Sequence, residues 1–123
     1  KLPFKNNSFD LVANITVIEH IPSEYCEQFL LEMKRVLKGS GTLIIRNDAW
    51  LYGILEHSGY FDKDPDPTHI NMITPRKLKG TLKKLGFNVV GEAYFPYYRY
   101  TKIKLPLMDI FSTKGNFVCK IDN

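Results

Sequence analysis

Cysteine is scarce: Cys26 and Cys119 are the only two in 123 residues. Two thiols this far apart, with no other ligand-type residues flanking them, make neither a disulfide framework nor a zinc site. They read as buried, reduced thiols of a cytoplasmic protein, and no metal centre is expected. Long apolar runs are also missing. None approaches the ~20 residues that span a bilayer, so no membrane partner is expected, and Lys1 to Asn7 lack the apolar core of a signal peptide. There is no internal repeat and no low-complexity tract. Charge of one sign is in small excess, +4 at neutral pH, which slightly favours an anionic partner without naming one.

What remains is ordinary globular composition. Hydrophobic residues make up 44% and charged residues 24%, so the chain can bury a core, and its length fits one domain or part of one. Strand-like and helix-like segments alternate, the pattern of an α/β sheet. Ser8 to Ile15 is a short, largely apolar run, as in a strand covered on both faces. Ser23 to Lys38 has helical periodicity, with Cys26, Phe29, Leu30, Met33, Val36 and Leu37 on one stripe. Ser23 is the expected N-cap, and Lys38-Gly39 the expected end. Gly41 to Asn47 reads as the next strand, parallel to the first through a right-handed crossover. Residues 48–73 read as a long irregular loop, a length that more often carries function than not. Thr74-Pro75 opens a second helix as N-cap and first helical residue. Leu78, Leu82 and Leu85 form its stripe, and Gly86 ends it. Phe87 to Tyr94 is a third strand, and Gly115-Asn116 a turn into a fourth, Phe117 to Ile121.

Three blocks occur in order: Leu2-Pro3-Phe4 with Ser8-Phe9-Asp10-Leu11-Val12, then Ile18-Glu19-His20-Ile21, then Glu32, Arg35-Val36-Leu37-Lys38-Gly39 and Gly41. Together they resemble the class I methyltransferases that use S-adenosylmethionine, in particular their small-molecule branch. The Thr-Pro start and Leu85-Gly86-Phe87 are similar to that family's next helix and strand. The resemblance implies an α/β fold, the C-terminal half of a Rossmann-like methyltransferase sheet. Its strands are the family's fourth, fifth, seventh and sixth in spatial order, the seventh antiparallel. Most of these residues also have plain structural readings: Leu11, Val12, Val36 and Leu37 as core, Arg35 as a helix-end anchor.

The family's glycine-rich turn and its ribose-binding acidic residue do not occur. Gly39 and Gly41 lie between a helix and a strand, the reverse of the strand-to-helix order that cradles phosphate. Residues 1–123 are therefore expected to be a partial domain that continues N-terminally by roughly a hundred residues, a typical complement for such a domain. Their first strand would otherwise be an unprotected apolar edge.

Site candidates follow from the resemblance and from the rule that ligands gather beyond the carboxyl ends of parallel strands. Asn14, Ile15 and Thr16 would line the methionine part of the cofactor, S-adenosylmethionine. His20, just beyond, is placed to accept a proton from a hydroxyl or amine acceptor, although alignment alone often suffices when the methyl is already activated. Glu19 would orient His20 or bind substrate, and His69 and Asn71 in the long loop would face the acceptor. His57 reads as a solvated loop residue, and Trp50 and Tyr52 as either pocket lining or core.

Arg76, Lys77, Lys79, Lys83 and Lys84 form the charged face of an amphipathic helix. Tyr97 to Lys104 mixes aromatics with cations and reads as a sheet cover or a homo-oligomer contact rather than a nucleic-acid surface. The expected function is methyl transfer to a small-molecule O, N or C nucleophile. A cofactor-free scaffold of the same fold and an RNA-directed methyltransferase are the alternatives.

Overall fold

A computed structural model describes residues 1–58, 66–95 and 107–121. Residues 59–65 of the long loop and the Tyr97 to Lys104 segment lie outside the described residues. The chain builds a four-stranded sheet from β1 (Phe9–Ile15), β2 (Leu37–Asp48), β3 (Phe87–Phe95) and β4 (Lys114–Ile121), in the order β1-β2-β4-β3. β1 and β2 are parallel, and β4 runs antiparallel to both its neighbours. This is the expected mixed sheet, with the last strand inserted between the second and third.

The helices are α1 (Ser23–Val36), α2 (Trp50–His57), α3 (Pro75–Lys84) and the single turn α4 (Met108–Phe111). The stripes of α1 and α3 meet one face of the sheet. Leu30, Met33, Leu78 and Leu82 pack there with Leu43, Ile45, Phe87, Phe117 and Cys119, burial that supplies most of the folding drive. Cys26 and Cys119 are both buried and free, as expected.

The opposite face is different. Leu11 and Ile15 of β1 and Val118 of β4 are 55%, 46% and 38% exposed, and Phe95 of β3 is exposed as well. The register puts these four on the face away from the core, in line with Thr42, Ile44 and Arg46 of β2. The sheet thus has one covered face and one open apolar face, and β1 is an edge. Among the described residues no helix is long and apolar enough to cross a membrane.

Several boundaries differ from the sequence reading. Pro22, not Ser23, occupies the N-cap of α1 and makes no side-chain cap bond. The chain passes from Val36 directly into β2, because the Leu37 N–H still bonds back to Met33 while its own backbone is extended. Lys38 and Gly39 therefore belong to the strand. Residues 50–57, expected as loop, form α2. Gly115 and Asn116 lie inside β4, where a Cβ on residue 115 would stand 2.9 Å from Pro75 Cβ; its glycine permits close approach, not a turn. The start of α3 is as expected, with Thr74 Oγ1 accepting from the Lys77 N–H at 3.2 Å. Gly86, at φ 76°, closes the helix in the left-handed region.

Arg35 anchors more than a helix end. Its guanidinium bonds Glu32 at 2.9 Å, the carbonyls of Phe4 and Leu2 at 2.8 and 3.1 Å, and Asn6 Oδ1 at 2.8 Å. The planar fork straps residues 2–6 across the end of α1.

Candidate cofactor and acceptor site

The parallel strands β1 and β2 end side by side, and the chain turns away from both at the same end of the sheet. At the end of β1, Asn14 is buried among the core residues at 2% exposure, and its Oδ1 has no hydrogen-bond partner. Ile15 turns to the open face. Thr16 then sits at φ 51°, an outlier for a β-branched residue. Its N–H reaches across to the Arg46 carbonyl at 2.8 Å. Thr16 Oγ1 bonds the Ile15 carbonyl. Strain of this kind persists where surrounding structure over-determines the backbone, and it concentrates at binding sites.

A single 3-10 turn, Ile18–His20, follows. Glu19 is completely buried. Its carbonyl accepts from the N–H groups of both Ile70 and Asn71 at 2.9 Å, and Asn71 Nδ2 donates to the Ile18 carbonyl at 3.3 Å. These bonds fasten the far loop onto the turn. Glu19 Oε1 accepts a long bond from the Asp48 N–H, 3.4 Å, whereas Oε2 is buried without a partner. Burial pushes the Glu19 carboxyl up, against the pull of backbone hydrogen bonds.

His20 is held differently. Its Nδ1 lies 3.1 Å from the Thr68 carbonyl and 2.9 Å from Thr68 Oγ1. The Thr68 hydroxyl has one proton, and it goes to Asp66 Oδ1 at 2.6 Å. Both Thr68 oxygens are therefore acceptors toward His20, which assigns the proton to Nδ1 and the lone pair of the neutral ring to Nε2. The same Thr68 bonds hold the Asp66 carboxyl below its usual range. The rings of His20 and His69 are 4.9 Å apart, and Asp66 Oδ2 is 3.9 Å from His69 Nε2. One ligand-type atom each from Glu19, His20 and His69 falls within 4.8 Å of the others.

The rim is completed from β2, α2 and β4. Asn47 and Asp48 are buried at the end of β2; Lys114 Nζ stands 3.0 Å from Asp48 Oδ1 and 5.4 Å from the centre of the Tyr52 ring. Tyr52 meets His69 edge-on at 6.0 Å. Trp50 Nε1 donates to the Ile110 carbonyl of α4. His57 ends α2, exposed, with Nδ1 2.8 Å from the Gly53 carbonyl.

Glu19, His20, His69 and Asn71 are thus brought together, with Asn14 and Thr16 at the strand end beside the turn and Ile15 turned away. Asn47, Asp48 and Lys114 were not singled out from the sequence, and Asp66 and Thr68 not as site residues. The strand-end rule that selected Asn14 applies equally to Asn47 and Asp48. The others come together only through the folded loop.

A family model described as a methyltransferase domain matches residues 1–45. An uncharacterized protein of Methanocaldococcus jannaschii, MJ0638, is 50% identical over 44 residues, 36% of this chain and 18% of that protein. Among solved structures, a SAM-dependent methyltransferase from Archaeoglobus fulgidus superposes with a TM-score of 0.68 at 17% identity, over 95% of this chain and 61% of its own. A Haloferax volcanii methyltransferase in complex with the Trm112 activator gives 0.67 at 14% identity, over 100% and 58%. The chain therefore spans about three fifths of these solved relatives. It has the fold of these SAM-dependent methyltransferases, and residues 1–45 match the methyltransferase-domain model. S-adenosylmethionine is the cofactor that this class implies.

Proposed function

We propose that the chain serves transfer of a methyl group from S-adenosylmethionine to an O, N or C nucleophile of a small molecule, forming one wall of the cofactor site and part of the acceptor pocket. The supporting observation is the end of β1, where strained Thr16 follows a buried Asn14 with an orphaned Oδ1. A buried acceptor without a donor costs about 1–3 kcal/mol. The ammonium group of the cofactor's methionine part would satisfy it, so the residues present fit the group. When bound, the cofactor supplies a methyl already activated on a sulfonium.

Asn14 and Thr16 hold the methionine part, with the Ile15 backbone between them. Nε2 of His20 takes the proton of the acceptor. Glu19, His69 and Asn71 form the acceptor side. The free edge of β1 and the open apolar face support a further reading: the complete domain includes a unit with the glycine-rich turn, packed against both.

A small acceptor is favoured over nucleic acid because the basic face of α3 is largely neutralised. Arg76 pairs with Asp109, Lys79 with Glu92 and Lys84 with Glu27. A cytoplasmic location and assembly with a second protein or copy accord with this reading. Calorimetric titration with S-adenosylhomocysteine tests it: the complete protein binds in the micromolar range, and residues 1–123 alone do not. Absence of binding to the complete protein favours a scaffold role, and micromolar binding by residues 1–123 overturns the proposed division of the site.

A further inference from the structure

Glu19 presents a problem that neither hydrogen bonding nor the methyl-transfer reading removes. Its carboxylate is fully buried, one oxygen has no partner, and no lysine or arginine pairs with it among the described residues. An ionised carboxylate taken out of water needs a compensating positive charge. Beside it lie two imidazoles and the Asp48 carboxylate, which is itself paired with Lys114, and three potential ligand atoms converge within 4.8 Å.

We propose that Glu19, His20 and His69 form a binding site for a divalent transition-metal ion, of which zinc(II) is the best match. Two imidazoles and one carboxylate suit zinc and its borderline neighbours, whereas magnesium and calcium take all-oxygen shells. Ligand atoms about 2.1 Å from a tetrahedral ion stand about 3.4 Å apart, so closure asks for an approach of roughly an ångström, within reach of side-chain rotation. His20 is already in the ligating tautomer, with Nδ1–H on the Thr68 carbonyl and the lone pair on Nε2. A backbone carbonyl behind a ligating imidazole is the usual outer support of such sites. Asp66 Oδ2 stands 3.9 Å from His69 Nε2, an ion-pair distance rather than a hydrogen bond. The ion would supply the missing charge beside Glu19.

Three protein ligands leave at least one position for water or for an oxygen or nitrogen of a second ligand. An ion on Nε2 also takes the lone pair that a general base would need. If methyl transfer is the reaction, the ion would acidify an acceptor oxygen bound to it, and His20 would act as ligand rather than base. That consequence rests on the proposed function; the site itself does not.

The test is titration of the full chain, freed of metal, with zinc(II) against a chromogenic chelator and with cobalt(II) followed by visible absorption. No S-adenosylmethionine is needed, so failure of the methyl-transfer reading leaves the result intact. One ion per chain is expected, with a ligand-field spectrum of low coordination number. Glu19→Gln and His69→Ala should each weaken binding tenfold or more, and the exposed His57→Ala should not. Circular dichroism checks each variant; if Glu19→Gln does not fold, His69→Ala and His20→Ala decide. Binding that survives loss of these ligands, or that falls as much with His57→Ala, overturns the site, as does a wild-type chain that takes up no ion.

Discussion

Lys34 of α1 donates to the Leu85 carbonyl at 2.7 Å, just past the last turn of α3. One helix therefore supplies the cation that closes its neighbour, where the carbonyls carry partial negative charge. The same ammonium lies 5.6 Å from the centre of the Phe87 ring, so it spans the junction of α3 and β3.

Gly86→Ala should destabilise the fold through this junction. The residue sits at φ 76°, and a Cβ would stand 2.6 Å from Lys34 Nζ. The lysine tip can swing aside, but the backbone penalty remains, about 1–2 kcal/mol for a non-glycine residue in this region. Urea denaturation should show a lower midpoint with an unchanged slope.

Acid should loosen the N-terminal strap. Arg35 holds the Glu32 carboxyl down to about 2, against an ordinary value of 4.5. A depressed carboxyl stabilises the fold above its unfolded value, and that contribution is lost as pH falls from about 4.5 toward about 2. Glu32→Gln should remove this part of the acid dependence. Comparing thermal midpoints of the two chains at pH 6 and pH 3 measures it, and parallel curves would show that the strap contributes nothing.

Thr16→Gly should not destabilise the chain. The extra backbone freedom of glycine ordinarily costs about 0.5–1 kcal/mol, yet here, one residue past β1, relief of the φ 51° backbone offsets it, leaving a change between zero and a gain of about 1 kcal/mol. Calorimetric melting reads this directly. A loss above about 1 kcal/mol would mean that the Thr16 hydroxyl, through its bond to the Ile15 carbonyl, holds the turn.

Both thiols should be inert in the native state. Burial pushes Cys26 up and Cys119 to about 11, and thiol reagents attack the thiolate. Labelling should therefore proceed at the opening rate of the chain and accelerate with urea. Rapid native labelling of either thiol would contradict the described core.

The fold was legible where periodicity and punctuation agree. Thr74-Pro75 and Gly86 bracket α3 by local chemistry alone, and the stripe from Cys26 to Val36 defines α1. Reading failed where tertiary contacts decide. Residues 50–57 are almost uniformly apolar, so α2 shows no polar face to give a helical period. Gly39 and Gly115 look like turn residues, but one lies in a strand that continues directly from α1, and the other lets Pro75 approach β4. The candidate site divides in the same way. The strand-end rule and the family blocks selected Asn14, Thr16, Glu19 and His20 individually. Loop folding brings Thr68 to His20, across 48 residues, and places His69 and Asp66 beside them, and no local pattern encodes that distance.

Trp50 is the only tryptophan in the chain, and its indole N–H is bonded to the Ile110 carbonyl, with the Phe111 ring 6.1 Å away. It sits two residues beyond Asp48, whose N–H bonds the Glu19 carboxylate. Any event that shifts the end of β2 or separates α2 from α4 must change the polarity around this one indole. The protein thus carries an intrinsic optical gauge at the rim of its site, through which ligand or ion uptake can be followed by emission colour without attaching a dye.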